Sequence, residues 1–184
     1  MRNLDLTRIK IMLSTYIFMV IFLIFGLIEI NDEITIGPIN AIFILGILFC
    51  VGMFVLWLFK YIKYKSKLRL IKINFSNQIS ISISDFRLLS SNSPTFAGIY
   101  VLLNKTKGIN YVGQSRDVYG RVKQHTTGYG NGNVYADMKY GDIFAIKLLP
   151  LKNSGFNSLN ELEKFAIDAF DAYKHGYNRT SGNR

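Results

Sequence analysis

Residues 98–125 read GIYVLLNKTKGINYVGQSRDVYGRVKQH, and this stretch decides the fold of the C-terminal half of the chain. Two apolar runs, 99–103 and 109–112, contain β-branched and aromatic residues and flank a short polar segment. That segment includes an asparagine and a glycine, which are typical of turns. The pattern therefore predicts a β-hairpin.

The register of this hairpin determines where its two tyrosines lie. If the turn centres near residues 105–106, Tyr100 and Tyr111 fall roughly opposite each other. A slip of one residue would send the two side chains to different faces of the sheet.

A short helix is predicted directly after the hairpin. Ser115 can serve as its N-cap, and Val118 and Val122 lie one helical turn apart. Arg121 and His125 are also four residues apart, so they share a face of this helix. Two tyrosines, an arginine and a histidine can therefore converge where the strand passes into the helix.

Residues 96–180 resemble the GIY-YIG endonucleases, a family of phage homing endonucleases, some restriction enzymes and incision nucleases of DNA repair. The first family motif stands at 98–100 as Gly-Ile-Tyr, and the second at 111–113 as Tyr-Val-Gly, with valine for isoleucine. Six positions occur in the family's order and at similar spacing. The resemblance implies that these are the catalytic residues Tyr100, Tyr111, Arg121, His125, Glu163 and Asn178, with Gly98 and Gly113 as motif glycines.

The same resemblance implies a fold, a cofactor and a substrate. The fold is α+β, a small antiparallel sheet flanked by helices. The cofactor is a single Mg²⁺ or Mn²⁺ ion bound by Glu163, which stands in a helical segment that resembles the family's metal-binding helix. The substrate is DNA, most simply a duplex. Some relatives carry a second histidine after His125, and the loop at 128–133 has none.

Phosphodiester hydrolysis needs an aligned water, charge relief at the phosphoryl oxygens and a stabilised leaving group. The planar guanidinium of Arg121 suits phosphate oxygens, and Glu163 supplies a hard oxygen ligand. We favour Tyr100 as the general base if nearby cations stabilise its phenolate, with Tyr111 and His125 positioning water or phosphate. His125 is the alternative base, because histidine titrates near neutrality unaided.

The remaining elements of the domain follow from local patterns. The loop 128–133 is rich in glycine and asparagine, and we expect it to be mobile and near the substrate. A helix at 134–140 and a strand at 143–149 should follow. A capping box at Ser158 starts the last helix, which we expect to run to about residue 173.

The segment before the hairpin is less regular. Residues 79–83 alternate with period two and predict a strand, which could pair with residues 70–75. Residues 90–94 resemble a linker.

Composition points to lipid, because 49% of the 184 residues are hydrophobic. Two uncharged apolar runs, 11–28 and 39–59, are each long enough to cross a bilayer. We predict three segments: a two-span transmembrane hairpin at 1–60, a basic juxtamembrane segment at 61–95 whose strands either form a small spacer or belong to the nuclease sheet, and the nuclease domain at 96–184. Cys50 is the single cysteine, which excludes a disulfide within the chain.

Charges beside the apolar runs predict the orientation in a bacterial cytoplasmic membrane. The connection between the runs carries Asp32 and Glu33, whereas basic residues precede the first run and follow the second. Both termini and the nuclease domain should therefore be cytoplasmic. The basic residues are Arg2, Arg8, Lys10, Lys60, Lys63, Lys65, Lys67, Arg69 and Lys72.

The net charge of +10 agrees with an anionic partner, either lipid headgroups or nucleic acid. Residues 60–72 suit a lipid anchor, and a surface that tracks DNA is the alternative. The function we predict is a membrane-anchored, metal-dependent DNA endonuclease that acts on entering phage or plasmid DNA. The alternatives are a non-catalytic nucleic-acid-binding protein at the membrane and a protein that acts through its apolar hairpin.

Overall fold

A computed structural model describes residues 6–29 and 38–182, and these form two compact units, Met1–Lys65 and Ser66–Arg184. The first unit contains α1 and most of α2, and the second contains the other elements. The helices are α1 (Leu6–Glu29), α2 (Pro38–Ser76), α3 (Ile83–Asn92), α4 (Val118–Thr126), α5 (Gly132–Lys139) and α6 (Leu159–Ala169), and the strands are β1 (Ile81–Ser82), β2 (Gly98–Asn104), β3 (Ile109–Ser115) and β4 (Phe144–Pro150).

The two helices of the first unit lie antiparallel. The ring of Tyr16 meets Phe54 edge-on with centroids 6.4 Å apart, and Leu23 lies beside Gly46, so the contacts run in opposite directions along the two helices. Large apolar side chains such as Phe49 remain exposed on this unit. Exposed apolar side chains that cluster in this way are typical of membrane or protein interaction sites.

One helical stretch among the described residues, Ile44–Ser76, is long and apolar enough to cross a membrane by length and composition. The apolar part of α1, Leu13–Ile24, is shorter among the residues whose side chains are described. The two-span transmembrane hairpin at 1–60 therefore stays a prediction. The connection with Asp32 and Glu33 lies outside the described residues.

The second unit is built on a four-stranded antiparallel sheet in the order β1-β4-β2-β3. This confirms the α+β class with a small antiparallel sheet and flanking helices. The predicted hairpin forms β2 and β3, and the apolar strand predicted at 143–149 is β4.

The hairpin turn lies one residue later than the sequence pattern predicts. Tyr100 pairs with Gly113, and Tyr111 pairs with Leu102, so the two tyrosines are diagonal neighbours. The side-chain oxygen of Asn104 accepts the backbone N–H groups of Thr106 and Lys107, and this holds the turn at 105–108. A shift of the turn centre by one residue changes the register by two, so both tyrosines keep the same face.

Alternating side chains of the sheet build a core on each face. Ile99, Val101 and Val112 pack with α6 and with residues near the end of α2. On the other face, Tyr100 and Leu102 pack with residues of α3, α4 and α5. The sheet is therefore the middle of three layers.

Residues 66–76 are helical and belong to the core of the second unit. Ile71 and Phe75 are buried in the same core cluster as Val101. Lys147 donates to the backbone oxygen of Phe75 at 2.8 Å near the end of α2. The predicted pairing of 79–83 with 70–75 is wrong, because burial of this apolar helical face outweighs the local β pattern.

Only Ile81 and Ser82 of the predicted 79–83 strand belong to a strand, which pairs with β4. Ser82 then caps α3 by accepting the backbone N–H of Asp85. The helix continues to Asn92, so most of the predicted linker at 90–94 is helical.

The caps of the later helices partly match expectation. Asp117, and not the predicted Ser115, caps α4 by accepting the N–H of Gly120. Ser115 accepts the N–H of Asp117 before the helix begins. Ser158 caps α6 as predicted, although the helix ends at Ala169. Asp171 has a positive φ of 50°, and this left-handed residue turns the chain away from the helix axis.

Candidate active site

The hairpin and α4 bring the two tyrosines and the histidine together on one face of the sheet. The hydroxyl of Tyr100 lies 3.0 Å from Nε2 of His125. The ring of Tyr111 lies 4.7 Å from that of His125 and 6.1 Å from that of Tyr100, measured between centroids. The predicted convergence of these three residues is present.

Arg121 adds a positive charge to this cluster. Its charge lowers the pKa of each of the three rings, although other causes dominate. The side chain is exposed and donates to Gln124 at 2.6 Å. An exposed guanidinium beside two phenols can reach a phosphate that docks there.

The tyrosines are buried, and this affects their acidity. Tyr100 is 1% exposed, and burial raises its pKa well above the ordinary value of about 10. Tyr111 adds to the rise, whereas Arg121 opposes it. Burial also raises the pKa of Tyr111. The cationic influence expected for Tyr100 is present, but burial outweighs it.

His125 is held neutral by its surroundings. Its ring is fully buried, and burial, with a smaller contribution from Arg121, lowers the pKa of His125 to about 4. Nδ1 of this ring accepts the backbone N–H of Asn131 at 2.9 Å. The loop 128–133, which we expected to be mobile, is thereby bonded to α4.

Glu163 lies on α6 next to β3. It is 8% exposed, and its Oε2 accepts the side-chain N–H of Gln114 at 3.1 Å. Gln114 also donates to Asn160 at 2.7 Å, so its amide joins β3 to α6 beside the carboxylate. The negative charge of Glu163 acts on the pKa of Tyr111, which places the carboxylate near the phenol cluster.

The donor set fits a hard divalent cation. Within residues 6–29 and 38–182, no group of three or more His, Cys, Asp or Glu side chains could hold a metal. A single carboxylate suits Mg²⁺, which keeps most of its waters and needs one or two protein ligands. Glu163 is therefore the residue that would hold such an ion.

Asn178 lies outside the phenol cluster and holds the backbone of β3. Its side-chain oxygen accepts the N–H of Val112 at 2.9 Å, and its side-chain nitrogen donates to the carbonyl of Val112 at 2.7 Å. Val112 is the residue between Tyr111 and Gly113. A catalytic role for Asn178 stays a prediction, and its contacts are those of a clamp.

The motif glycines make room for their neighbours. A Cβ at Gly113 would overlap the ring of Tyr100, its cross-strand partner. A Cβ at Gly98 would overlap the carbonyl of Leu149 on β4. These two positions are therefore restricted by close approach rather than by backbone conformation.

Sequence reasoning missed Gln114 and Asn131. Gln114 reaches Glu163 only because α6 packs across β3, and no local pattern reports that packing. Asn131 stands in a glycine- and asparagine-rich loop, where its composition indicated a turn but not a contact with His125.

The family model that matches this chain covers the residues that carry this site. Residues 96–178 match the model of the GIY-YIG catalytic domain family. A structural match is found to the catalytic domain of the intron endonuclease I-TevI, in a mutant form, at 21% identity and a TM-score of 0.36. It covers 47% of this chain and 96% of that one. No curated protein matches. The family model therefore identifies residues 96–178 as a GIY-YIG catalytic domain.

Proposed function

We propose that the chain is a membrane-anchored endonuclease that hydrolyses DNA phosphodiesters with the help of one divalent cation. The observation that carries this proposal is the convergence of Tyr100, Tyr111, Arg121 and His125 beside the carboxylate of Glu163. A base, a phosphate ligand and a metal ligand are then available within one site.

Tyr100 receives the proton of the attacking water in this mechanism. Its hydroxyl oxygen lies 3.0 Å from Nε2 of His125, and the charge of Arg121 favours the phenolate. Burial opposes ionisation, so only a small fraction of the enzyme carries the phenolate at neutral pH. Tyr111 packs against the ring of His125 and helps to orient it.

Arg121 holds the phosphoryl oxygens, where negative charge builds up in the transition state. Glu163 would bind a Mg²⁺ or Mn²⁺ ion, with the amide of Gln114 fixing one carboxylate oxygen. When bound, such an ion supplies Lewis-acid stabilisation of the phosphate and the leaving oxygen.

The membrane location is supported by charge and apolar surface. Ile44–Ser76 is long and apolar enough to span a bilayer, and basic residues flank the predicted spans. We propose that both termini are cytoplasmic. An anchored nuclease there meets phage or plasmid DNA as it crosses the membrane, so we propose exclusion of such DNA as the cellular role.

The decisive experiment is cleavage of supercoiled plasmid by the full-length chain in detergent. We expect nicking in Mg²⁺, none in chelator, and a loss of at least about 10²-fold in Glu163→Gln, which removes the carboxylate charge but keeps its shape. Glu161→Gln is the matched control, because this partly exposed carboxylate faces Lys67 instead.

Undiminished cleavage in chelator would overturn the metal-dependent mechanism. DNA binding without cleavage would favour the non-catalytic alternative.

A further inference from the structure

The turn that follows α4 packs against the ring of His125. The backbone N–H of Asn131 donates to Nδ1 of His125 at 2.9 Å. A Cβ at Gly130 would overlap the atoms Nδ1 and Cγ of the same ring, so the chain can approach this closely only with glycine. The turn therefore touches the one nitrogen of His125 that does not face Tyr100.

This contact determines which nitrogen of His125 carries the proton. A backbone N–H can only donate, so Nδ1 must be unprotonated in order to accept. A neutral imidazole has one N–H, and it is then on Nε2. The 3.0 Å contact between Nε2 and the hydroxyl of Tyr100 is therefore a hydrogen bond that His125 donates.

We propose that the backbone amide of Asn131, seated by Gly130, locks His125 as an Nε2–H donor to Tyr100, which leaves Tyr100 as the proton acceptor in hydrolysis. This inference rests on the proposed function. Asn131 is a positioning residue, because it acts on Tyr100 through His125. A donor at 3.0 Å stabilises the phenolate more than the phenol.

Asn131 is anchored in the place that this role requires. Its side-chain oxygen accepts the N–H groups of Asn133 and Val134 and so caps α5. Its side-chain nitrogen donates to the backbone oxygen of Tyr177 at 3.2 Å. The backbone amide is thus fixed from α5 on one side and from the C-terminal segment on the other.

Protonation of His125 would break this arrangement. A charged imidazole donates from both nitrogens, so Nδ1–H would face the N–H of Asn131. The ring is also fully buried, and its pKa is lowered to about 4 by that burial and by the charge of Arg121. Both facts agree with an imidazole of His125 that is uncharged at neutral pH and donates from Nε2.

The tautomer can be measured without any nuclease assay. The chain has two histidines, so ¹⁵N-histidine labelling of the full-length protein in detergent gives two imidazole spin systems. His175→Gln removes the exposed one and assigns His125. We expect Nδ1 to have the shift of an unprotonated nitrogen and Nε2 that of a protonated one, unchanged from pH 8 to about pH 5.

Two variants at one position isolate the backbone N–H. Asn131→Ala and Asn131→Pro both remove the cap of α5 and the bond to Tyr177, but only proline removes the amide hydrogen. Proline suits this position, because the φ of Asn131 is −77° and the preceding residue is glycine. We expect the Nε2–H form to persist in Asn131→Ala and to give way to mixed tautomers in Asn131→Pro.

The cleavage rate supplies the functional half of the test. With plasmid and Mg²⁺, Asn131→Pro should be at least about tenfold slower than Asn131→Ala, a loss of the size seen for the outer partners of metal-ligating histidines. If proline prevents folding, Gly130→Ala serves instead, because its methyl group displaces the ring of His125.

Protonation of His125 at Nδ1 in the unmodified protein would overturn the inference even if the protein cleaves DNA. Equal cleavage by the alanine and proline variants would also overturn it. A protein with the expected tautomer and no cleavage would leave the lock intact and refute the proposed function.

Discussion

The pKa of Tyr100 is subject to opposing influences. Burial and the neighbouring Tyr111 favour the neutral phenol, whereas Arg121 favours the phenolate. Because Tyr100 is 1% exposed, the balance of these influences sets its acidity. The activity of the enzyme should therefore depend on pH in a way that identifies the base.

We expect kcat to keep rising with pH into the alkaline range. The pKa of Tyr100 is raised, so the phenolate fraction grows throughout the accessible range, whereas His125, with a pKa of about 4, does not titrate near neutrality. The measurement is kcat for plasmid nicking from pH 5.5 to 9.5. Tyr100→Phe should lose the rise, and a plateau near pH 6.5 in the unmodified protein would instead indicate His125.

Arg121→Ala should lower kcat by at least about 10²-fold without changing the fold. The side chain is exposed, so its loss removes charge from the site but little packing. Plasmid nicking at fixed ionic strength measures the effect, with circular dichroism as a check on folding. Lys139→Ala is the matched control, because it removes one exposed positive charge from the last turn of α5. Equal losses in both variants would mean that only the net charge matters.

At the scale of elements, the end of α2 is the least expected part of the nuclease core. Ile71 is fully buried beside the sheet, and Lys67 donates to the backbone oxygen of Gly155 at 2.7 Å. The ammonium of Lys67 also lies 4.4 Å from the centre of the Phe156 ring. One of the basic residues that the sequence analysis assigned to lipid or DNA is therefore engaged within the domain, while Arg69 and Lys72 stay exposed.

Ile71→Ala should lower the free energy of unfolding of the nuclease unit by about 2–5 kcal/mol, because it leaves a cavity in a packed core. Ile73→Ala on the same helix is the control, since Ile73 is 47% exposed and should change the free energy much less. Denaturant unfolding of the full-length chain in detergent measures both. Similar, small effects would show that the end of α2 does not stabilise the domain.

At the scale of the whole molecule, the proposed membrane anchor leads to a prediction of the side on which the nuclease unit lies. Each basic residue near an anionic cytoplasmic leaflet gains on the order of 1 kcal/mol, so the exposed residues Lys60, Lys63 and Lys65 oppose export. The connection between the predicted spans carries Asp32 and Glu33 and no basic residue, so its charge does not oppose export. Both termini are therefore expected in the cytoplasm, where DNA and Mg²⁺ are available.

Cysteine labelling in intact cells tests this topology. In a Cys50→Ala background, Thr35→Cys should react with a membrane-impermeant thiol reagent, and Ser181→Cys should react only after lysis. Thr35 lies outside the described residues, in the connection predicted to be external. The reverse labelling pattern would put the nuclease unit outside the cell and remove cytoplasmic DNA as its substrate.

The sequence by itself determined the family, the hairpin and the face that its tyrosines share. These features depend on residue order and on period-two alternation, which survives a register shift of two residues, so Tyr100 and Tyr111 remain neighbours although the turn centre was misplaced. The capping serine of α6 was also predictable, because a cap is a contact between residues close in sequence.

Only the tertiary structure decided the contacts between distant segments. The bond from Gln114 to Glu163, the clamp of Asn178 on Val112 and the burial of Ile71 depend on packing across many residues, which leaves no local pattern. Residues 70–75 show how packing overrides local preference, since they are helical where a strand was expected. The acidity of Tyr100 and the tautomer of His125 were also decided by the tertiary structure. Burial determines the acidity of Tyr100, and a backbone N–H from another turn determines the tautomer of His125.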